Sequence, residues 1–171
     1  KEKKSDIVIS AGNTGALLVI SKLNLKMIEN IDKPALSALW PNKKGMSVVL
    51  DLGANIECSP KNLIDFSIMG SSLFKSLYPD DNAKVALLNI GSEAIKGNEI
   101  IKETYQQLSL RNNSDFEFKG YIEGNYLMNG DVNVIVADGF TGNIALKTAE
   151  GTASFITSEL KKAMTGNLIG K

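Results

Sequence analysis

The stretch VNVIVADGFTGNIALKTAEG, residues 132–151, runs from an apolar segment through a glycine-rich turn into the start of a helix. Residues 132–137 form a short apolar run, which is typical of a strand buried on both faces. The turn from Asp138 to Asn143 opens a helix that we predict to continue to about Met164. A strand, a tight turn and a helix in this order are the repeating unit of a parallel α/β sheet.

The same unit recurs along the chain. Strands are predicted at residues 6–10, 35–40, 46–52, 85–90, 116–121 and 132–137. Helices are predicted at residues 16–28, from Ser59-Pro60 onward, at 98–108, and from 141 to about 164. The strands at 35–40 and 46–52 are expected to form a hairpin with a basic tip, and 116–121 to lie at an edge. The alternation predicts one α/β domain over residues 1–171, with a mostly parallel sheet covered on both faces.

Composition excludes several kinds of function. The 19 basic and 19 acidic side chains cancel, so no overall field favours nucleic acid. The absence of histidine removes Ser-His-Asp and Cys-His catalysis and most zinc sites, and the single cysteine, Cys58, cannot form an intrachain disulfide. We therefore expect no metal and no disulfide framework, in a protein of the reducing cytoplasm.

Three strand-to-helix turns share a Gly/Asn/Thr composition, at residues 12–15, 53–55 and 139–143. Loops at the carboxyl ends of parallel strands form the crevice in which open α/β sheets bind ligands. Helix N-termini direct unpaired N–H groups at that crevice and favour an anion there. The alternative is ordinary turn chemistry, for which glycine and asparagine are also favoured. Neither a P-loop nor a dinucleotide fingerprint is present, and no cofactor is predicted.

Five segments, in order, resemble the phosphate acyltransferase family of bacterial phospholipid synthesis. They are Ser10–Ala16, Asp51–Asn55, Leu87–Gly91, Lys96–Glu99 and Asp138–Gly151. The resemblance implies a three-layer, Rossmann-like fold like that of phosphotransacetylases and the isocitrate/isopropylmalate dehydrogenases. The family's amino-terminal Asp-Ala-Met-Gly-Gly-Asp element and its carboxyl-terminal portion have no counterpart here, so we expect the chain to be part of a longer enzyme.

The resemblance further implies an enzyme that moves a fatty acyl group from acyl-carrier protein to inorganic phosphate, giving acyl phosphate for phospholipid synthesis. It implies a homodimer in the cytoplasm. It is also compatible with a peripheral membrane contact and with a glycerol-3-phosphate acyltransferase as partner. Two other readings stay open: a phosphotransacetylase that uses an acyl-CoA thioester, and a non-catalytic domain that binds anions or docks a partner.

Candidate site residues follow from the turns and from this reaction. The predicted phosphate-binding residues are Gly12, Asn13, Thr14 and Gly15, with Gly139, Thr141, Gly142 and Asn143 facing them. The predicted catalytic residues are Asn55, Asn98, Lys96 and Asp138. Phosphate is already anionic and a thiol leaves readily as thiolate, so the task is orientation and oxyanion stabilisation rather than general base catalysis. Helix capping is the alternative role for Asp138, and solvation for Lys96.

Exposed lysines offer a candidate surface for the acidic carrier protein. Lys43 and Lys44 lie at the predicted hairpin tip, and Lys161 and Lys162 lie near the end of the last helix. Solvent-exposed lysines commonly have no partner, so the alternative is a solvated surface.

Overall fold

The computed structural model describes residues 6–111 and 115–165. Its helices are α1 (Thr14–Leu25), α2 (Pro60–Leu77), α3 (Glu99–Leu110) and α4 (Gly139–Thr165), with one 3₁₀ turn at Gly124–Tyr126. Its strands are β1 (Ala38–Asn42), β2 (Gly45–Leu50), β3 (Lys84–Asn89), β4 (Glu117–Glu123) and β5 (Val134–Val136).

The five strands form one sheet in the order β1-β2-β5-β3-β4. Strand β1 pairs antiparallel with β2, whereas β2, β5, β3 and β4 are mutually parallel. The hairpin and its tip at Lys43 and Lys44 are as predicted, and β4 does lie at an edge. The mostly parallel sheet predicted from the alternation of elements is confirmed.

Helices cover both faces of the sheet and create two apolar clusters. Helices α2 and α3 pack on one face, where Phe66 and Leu63 meet Val85 and Val134. The start of α4 packs on the other face, where its partly buried side chains lie over a cluster that includes Trp40. The fold is therefore a helix–sheet–helix sandwich of three layers.

Short polar side chains begin the helices. Ser59 accepts a hydrogen bond from the Asn62 N–H, and the Asn62 side chain bonds back to the Ser59 N–H. The two bonds form a capping box, and Pro60 is the first residue of α2, so the helix start predicted at Ser59-Pro60 is confirmed. Asn13 and Asn98 cap α1 and α3 through their side-chain oxygens.

The strand predicted at residues 6–10 is wrong. These residues have no strand conformation, and Ile7, Val8 and Ile9 are 78%, 79% and 94% exposed. Helix α1, which follows, contains no buried residue. A parallel strand needs hydrogen-bonding neighbours and apolar cover, and among the described residues this segment has neither.

Candidate functional site

A crevice of about 910 Å³ opens at the carboxyl-terminal end of the parallel strands. The N-termini of three helices line it: Ser59 and Pro60 of α2, Asn98 and Ile100 of α3, and Phe140 of α4, next to Asp138. Each helix N-terminus carries roughly half a positive charge and N–H groups without intrahelical acceptors. Their convergence makes the crevice a favourable place for an anion.

Unused donors are present in two of these first turns. The N–H groups of Glu99 and Ile100 in α3 and of Phe140 in α4 have no acceptor among the described residues. The neighbouring N–H groups of Ile101 and Thr141 are satisfied by the side chains of Asn98 and Asp138.

Lys33 brings a cation to the crevice. Its Nζ donates a 2.7 Å hydrogen bond to the backbone oxygen of Glu57, and both residues line the opening. Glu57 and Asp138 add negative charge to the same wall. The Asp138 carboxylate already accepts two hydrogen bonds from Thr141, one from its N–H at 2.7 Å and one from its hydroxyl at 2.9 Å. Its geometry is that of a helix cap.

Cys58 lies in the floor of the crevice but is not an activated nucleophile. Burial raises the pKa of the Cys58 thiol to about 11, and the charges of Asp51 and Asp138 act in the same direction against the nearby Lys33. The thiol contacts the backbone oxygen of Asn55 at 3.7 Å. A thiol with this pKa is protonated near neutrality, which supports its interpretation as a small packed side chain.

Asp51 organises the turn that follows β2. Its carboxylate is fully buried and accepts five hydrogen bonds, from the N–H groups of Leu36, Gly53, Ala54 and Asn55 and from the Asn55 side chain. The remaining amide hydrogen of Asn55 is donated to Pro34. This network holds the backbone of residues 51–55 in the shape against which α4 packs.

Two glycines let α4 approach that turn closely. A Cβ atom at Gly142 would lie 1.9 Å from the backbone oxygen of Asp51, and one at Gly139 would lie 2.7 Å from that of Asn55. The Gly139 N–H donates to the same Asn55 oxygen at 2.7 Å. The second and third of the predicted turns are therefore in direct contact at one edge of the sheet.

The sequence profile of the family described as "Fatty acid synthesis protein" matches residues 1–171. The chain belongs to this family. A phosphate acyltransferase from Pelagibacter ubique (strain HTCC1062) is 94% identical over all 171 residues, which make up 51% of that protein. A phosphate acyltransferase from Maricaulis maris (strain MCS10) is 44% identical over the same 171 residues, 48% of its length. The resemblance inferred from the five motifs is confirmed, and the chain spans about half the length of the curated relatives it matches.

A solved structure supports the fold of this member of the fatty acid synthesis protein family. The EutD phosphotransacetylase from Staphylococcus aureus superposes with a TM-score of 0.58 at 15% identity, covering 78% of this chain and 46% of that one. At this identity the likeness concerns the fold alone, and the prediction of a fold like that of phosphotransacetylases is confirmed.

Within this family member, the predicted site residues do not all lie in one place. Asn98, Asp138 and Thr141 line the crevice, and the buried Gly139 and Gly142 hold α4 against the 51–55 turn. Asn55 lies behind the crevice with both amide hydrogens engaged, so a role as donor to a carbonyl would require these bonds to break.

Two further predicted residues lie beside the crevice. Lys96 is exposed in the loop before α3, where its backbone oxygen accepts from the Asn89 side chain. Asn143 is also exposed and faces Gly53 across the contact between the two turns. Neither is among the residues that line the crevice.

The first predicted turn lies elsewhere. Gly12, Asn13, Thr14 and Gly15 are all exposed, and apart from the helical bonds of α1 their hydrogen bonds stay within residues 10–17. No described contact joins them to residues 139–143, so the expectation that the three turns share one edge holds for two of them. The phosphate-binding roles assigned to these residues stay predictions.

Sequence reasoning missed Lys33 and Phe140. Lys33 precedes Pro34 in an irregular segment, where no periodic pattern marks it. Its proximity to the three helix N-termini depends on the fold of the chain between α1 and β1. Phe140 is 60% exposed at the mouth of the crevice, and its position inside the quoted Asp138–Asn143 turn was the available signal.

The lysines at the hairpin tip lie at the other end of β2 from the crevice. Lys44 pairs with Asp131, and Lys43 donates to the Asn129 side chain.

Among the described helices, none combines the length and the apolar character that a bilayer span requires.

Proposed function

We propose that the protein of which this chain is a part transfers a fatty acyl group from acyl-carrier protein to inorganic phosphate, producing acyl phosphate. The observation that carries the proposal is the convergence of three helix N-termini and Lys33 on one crevice. Such a site suits a phosphate dianion and the oxyanion that forms when phosphate attacks a thioester. The names of the relatives, both phosphate acyltransferases, support the same reaction.

The reaction needs little proton transfer to or from the protein. A phosphate oxygen attacks the thioester carbonyl, the carbon–oxygen bond forms, and the carbon–sulfur bond then breaks to release the thiolate of the carrier. The unused N–H groups of Ile100 and Phe140 and the ammonium of Lys33 are suited to hold the phosphate and the oxyanion. Asp138 serves in this scheme as the cap of α4 rather than as a base.

The oligomeric state, the location and the partners of the complete enzyme are part of the same proposal. We expect the complete enzyme to work as a homodimer in the cytoplasm, with acyl-carrier protein as donor. A peripheral membrane contact and association with a glycerol-3-phosphate acyltransferase would place its product where it is consumed. The exposed apolar side chains at the distal end of α4 are compatible with such contacts: Phe155, Ile156, Leu160 and Met164.

The direct test uses the complete protein with acyl-carrier-protein thioester and phosphate, and follows acyl phosphate by mass spectrometry. Lys33→Gln keeps a donor for Glu57 but removes the charge, and should raise the KM for phosphate roughly ten- to hundredfold, as expected for one charge-assisted hydrogen bond. Lys44→Gln, at the opposite end of β2, is the matched control and should leave this KM unchanged. Absence of acyl phosphate with the parent protein would reject the function.

A second measurement concerns the absence of a protein base. Asn caps a helix about as well as Asp, so Asp138→Asn should preserve α4 and leave the shape of the profile of kcat/KM against pH unchanged. Loss of an ionisation that the parent shows would identify Asp138 as a base. Running acyl-CoA beside the carrier-protein thioester decides between the proposed reaction and a phosphotransacetylase.

A further inference from the structure

An apolar groove of about 470 Å³ lies beside α4, on the face that is turned toward the sheet. One wall is formed by Trp40, Leu127 and Met128, and the Trp40 indole N–H is held by the Met128 sulfur at 3.1 Å. The other wall is a stripe of α4 with small side chains: Ala145, Thr148, Ala149, Thr152 and Ala153, followed by Ile156. Small residues on the helix leave the space open, while large ones across from it supply apolar contact.

The groove and the candidate site both border a third cavity. A third cavity of about 420 Å³ shares Asn98, Ile101, Asp138 and Thr141 with the crevice. The same cavity shares Gly124 and Ala145 with the groove. Between these shared residues its lining is mainly apolar, with Leu88, Ile90 and Ile144 beside the polar Asn89. The three cavities therefore follow one another along the first turns of α4, and this series, from the polar crevice to the apolar groove, is the path considered below.

The length of this path suits a long hydrocarbon chain. From Thr141 in the crevice to Ile156 at the far end of the groove, α4 advances about 22 Å at ~1.5 Å per residue. Lys33 and the unused N–H donors lie at one end of the path, and the remainder is mainly apolar, with Asn89, Thr148 and Thr152 as its polar side chains. This distribution matches a ligand with an anionic or reacting head group and an unbranched apolar tail.

We propose that this groove binds the acyl chain of the substrate, with the reacting carbonyl in the crevice and the tail beside Ala149 and Ala153. The proposal rests on the acyl transfer proposed above. It adds that the groove selects the substrate by the length of its acyl chain. Each methylene that is buried strengthens binding about fourfold, so a long chain that fills the groove gains affinity that a short chain cannot. A helix of a second copy seated on the groove would leave the connection to the crevice unexplained.

The test is a comparison of two donors with the complete protein. The values of kcat/KM are measured for acyl phosphate formation from palmitoyl- and octanoyl-acyl-carrier protein. Ala153→Phe and Thr152→Phe place an aromatic ring in the distal groove at positions that are exposed, so the fold is expected to survive. Each should lower the palmitoyl/octanoyl ratio at least about tenfold, the scale on which apolar pockets discriminate chains.

Ser154→Phe is the matched control because it adds the same ring to α4 on the side away from the groove. Its ratio should stay within about twofold of the parent. The groove proposal is overturned if the two groove variants leave the ratio unchanged, or if Ser154→Phe lowers it equally. A parent protein that forms no acyl phosphate from either donor rejects the proposed function instead, which keeps the two failures distinct.

Discussion

The amino-terminal region, residues 6–31, and the body of the chain, residues 35–165, begin from similar sequence and reach different structures. In each, an apolar run leads through a polar turn into a helix with apolar side chains. Seven of the twelve residues of α1 are apolar, against eight of the eighteen of α2. Yet α1 buries none of its residues, whereas α2 buries nine.

The difference shows that apolar content marks a segment for burial but does not supply the surface that buries it. Helix α2 lies on a sheet whose central strands offer a continuous apolar face, including Val85 and Val134. Among the described residues, no strand lies beside residues 6–10 and no sheet lies beneath α1. The stability of the body should therefore be independent of the amino-terminal region. Four pairs of substitutions, in order of decreasing effect, compare closely packed positions of the body with exposed or open positions, three of which lie in the amino-terminal region.

The largest contrast is expected between core truncations in the two regions. Phe66→Ala removes a fully buried ring of α2 and should lower the free energy of unfolding by about 3–5 kcal/mol. Ile20→Ala in α1, at a side chain that is 58% exposed, should cost less than ~0.5 kcal/mol. Urea unfolding followed by the fluorescence of Trp40, which is buried in the body, measures both. Equal losses would mean that α1 is packed against the body.

The next effect concerns the buried carboxylate that organises the 51–55 turn. Asp51→Asn replaces an acceptor oxygen with an amide that faces N–H donors, so at least one charge-assisted hydrogen bond is lost. Each such bond contributes about 1.5–3 kcal/mol, and the variant should be destabilised by that amount or more. The matched change Asp6→Asn, in the exposed amino-terminal region, should leave the urea midpoint unchanged.

A smaller effect is expected where α4 crosses the same turn. Gly142→Ala would place a methyl group 1.9 Å from the Asp51 backbone oxygen, and should cost about 1–3 kcal/mol as the helix shifts outward. Gly151→Ala, further along α4 with open space around it, should instead stabilise the chain by about 0.5–1 kcal/mol. Thermal unfolding of the two variants should move Tm in opposite directions; a shift of the same sign would contradict the close approach.

The smallest contrast separates two helix caps of the same kind. Asn98→Ala removes the acceptor for the Ile101 N–H at the start of α3 and should cost about 1 kcal/mol of stability in the body. Asn13→Ala removes the equivalent acceptor in α1 and should leave the Trp40 transition in place. Amide hydrogen exchange should show faster exchange within α1 for the second variant. A shifted Trp40 transition there would couple the two regions.

Local signals predicted most of the body because each acts over a few residues. The capping Ser59 before Pro60, the hairpin with a basic tip between β1 and β2, and the polar turn that opens α4 are all properties of short segments. The same kind of signal predicted a strand at residues 6–10, where it was wrong. A strand depends on neighbours that are distant in sequence, so local pattern alone cannot secure it.

The candidate site was also predicted in part from local sequence, and the rest of it depends on the fold. The turns at 53–55 and 139–143 were recognised as site-forming from their residues, and the structure brings them into contact. Their glycines, however, serve the approach of α4 to the backbone of Asp51 and Asn55, and the crevice itself is lined by helix N-termini and by Lys33. The position of Lys33 depends on how an irregular segment crosses the top of the sheet, and no periodicity encodes that.

By itself, the sequence determined the α/β class, the family, the order of the elements from residue 35 onward and the caps that begin the helices. These depend on short-range sterics, on hydrogen bonds between neighbouring residues and on hydrophobic periodicity. All three are properties of short segments of the sequence. Only the tertiary structure decided that two of the three turns meet, that three helix N-termini share one crevice, and that an apolar groove leaves it along α4. Those facts depend on the order β1-β2-β5-β3-β4, which joins residues far apart in the chain through burial and sheet pairing.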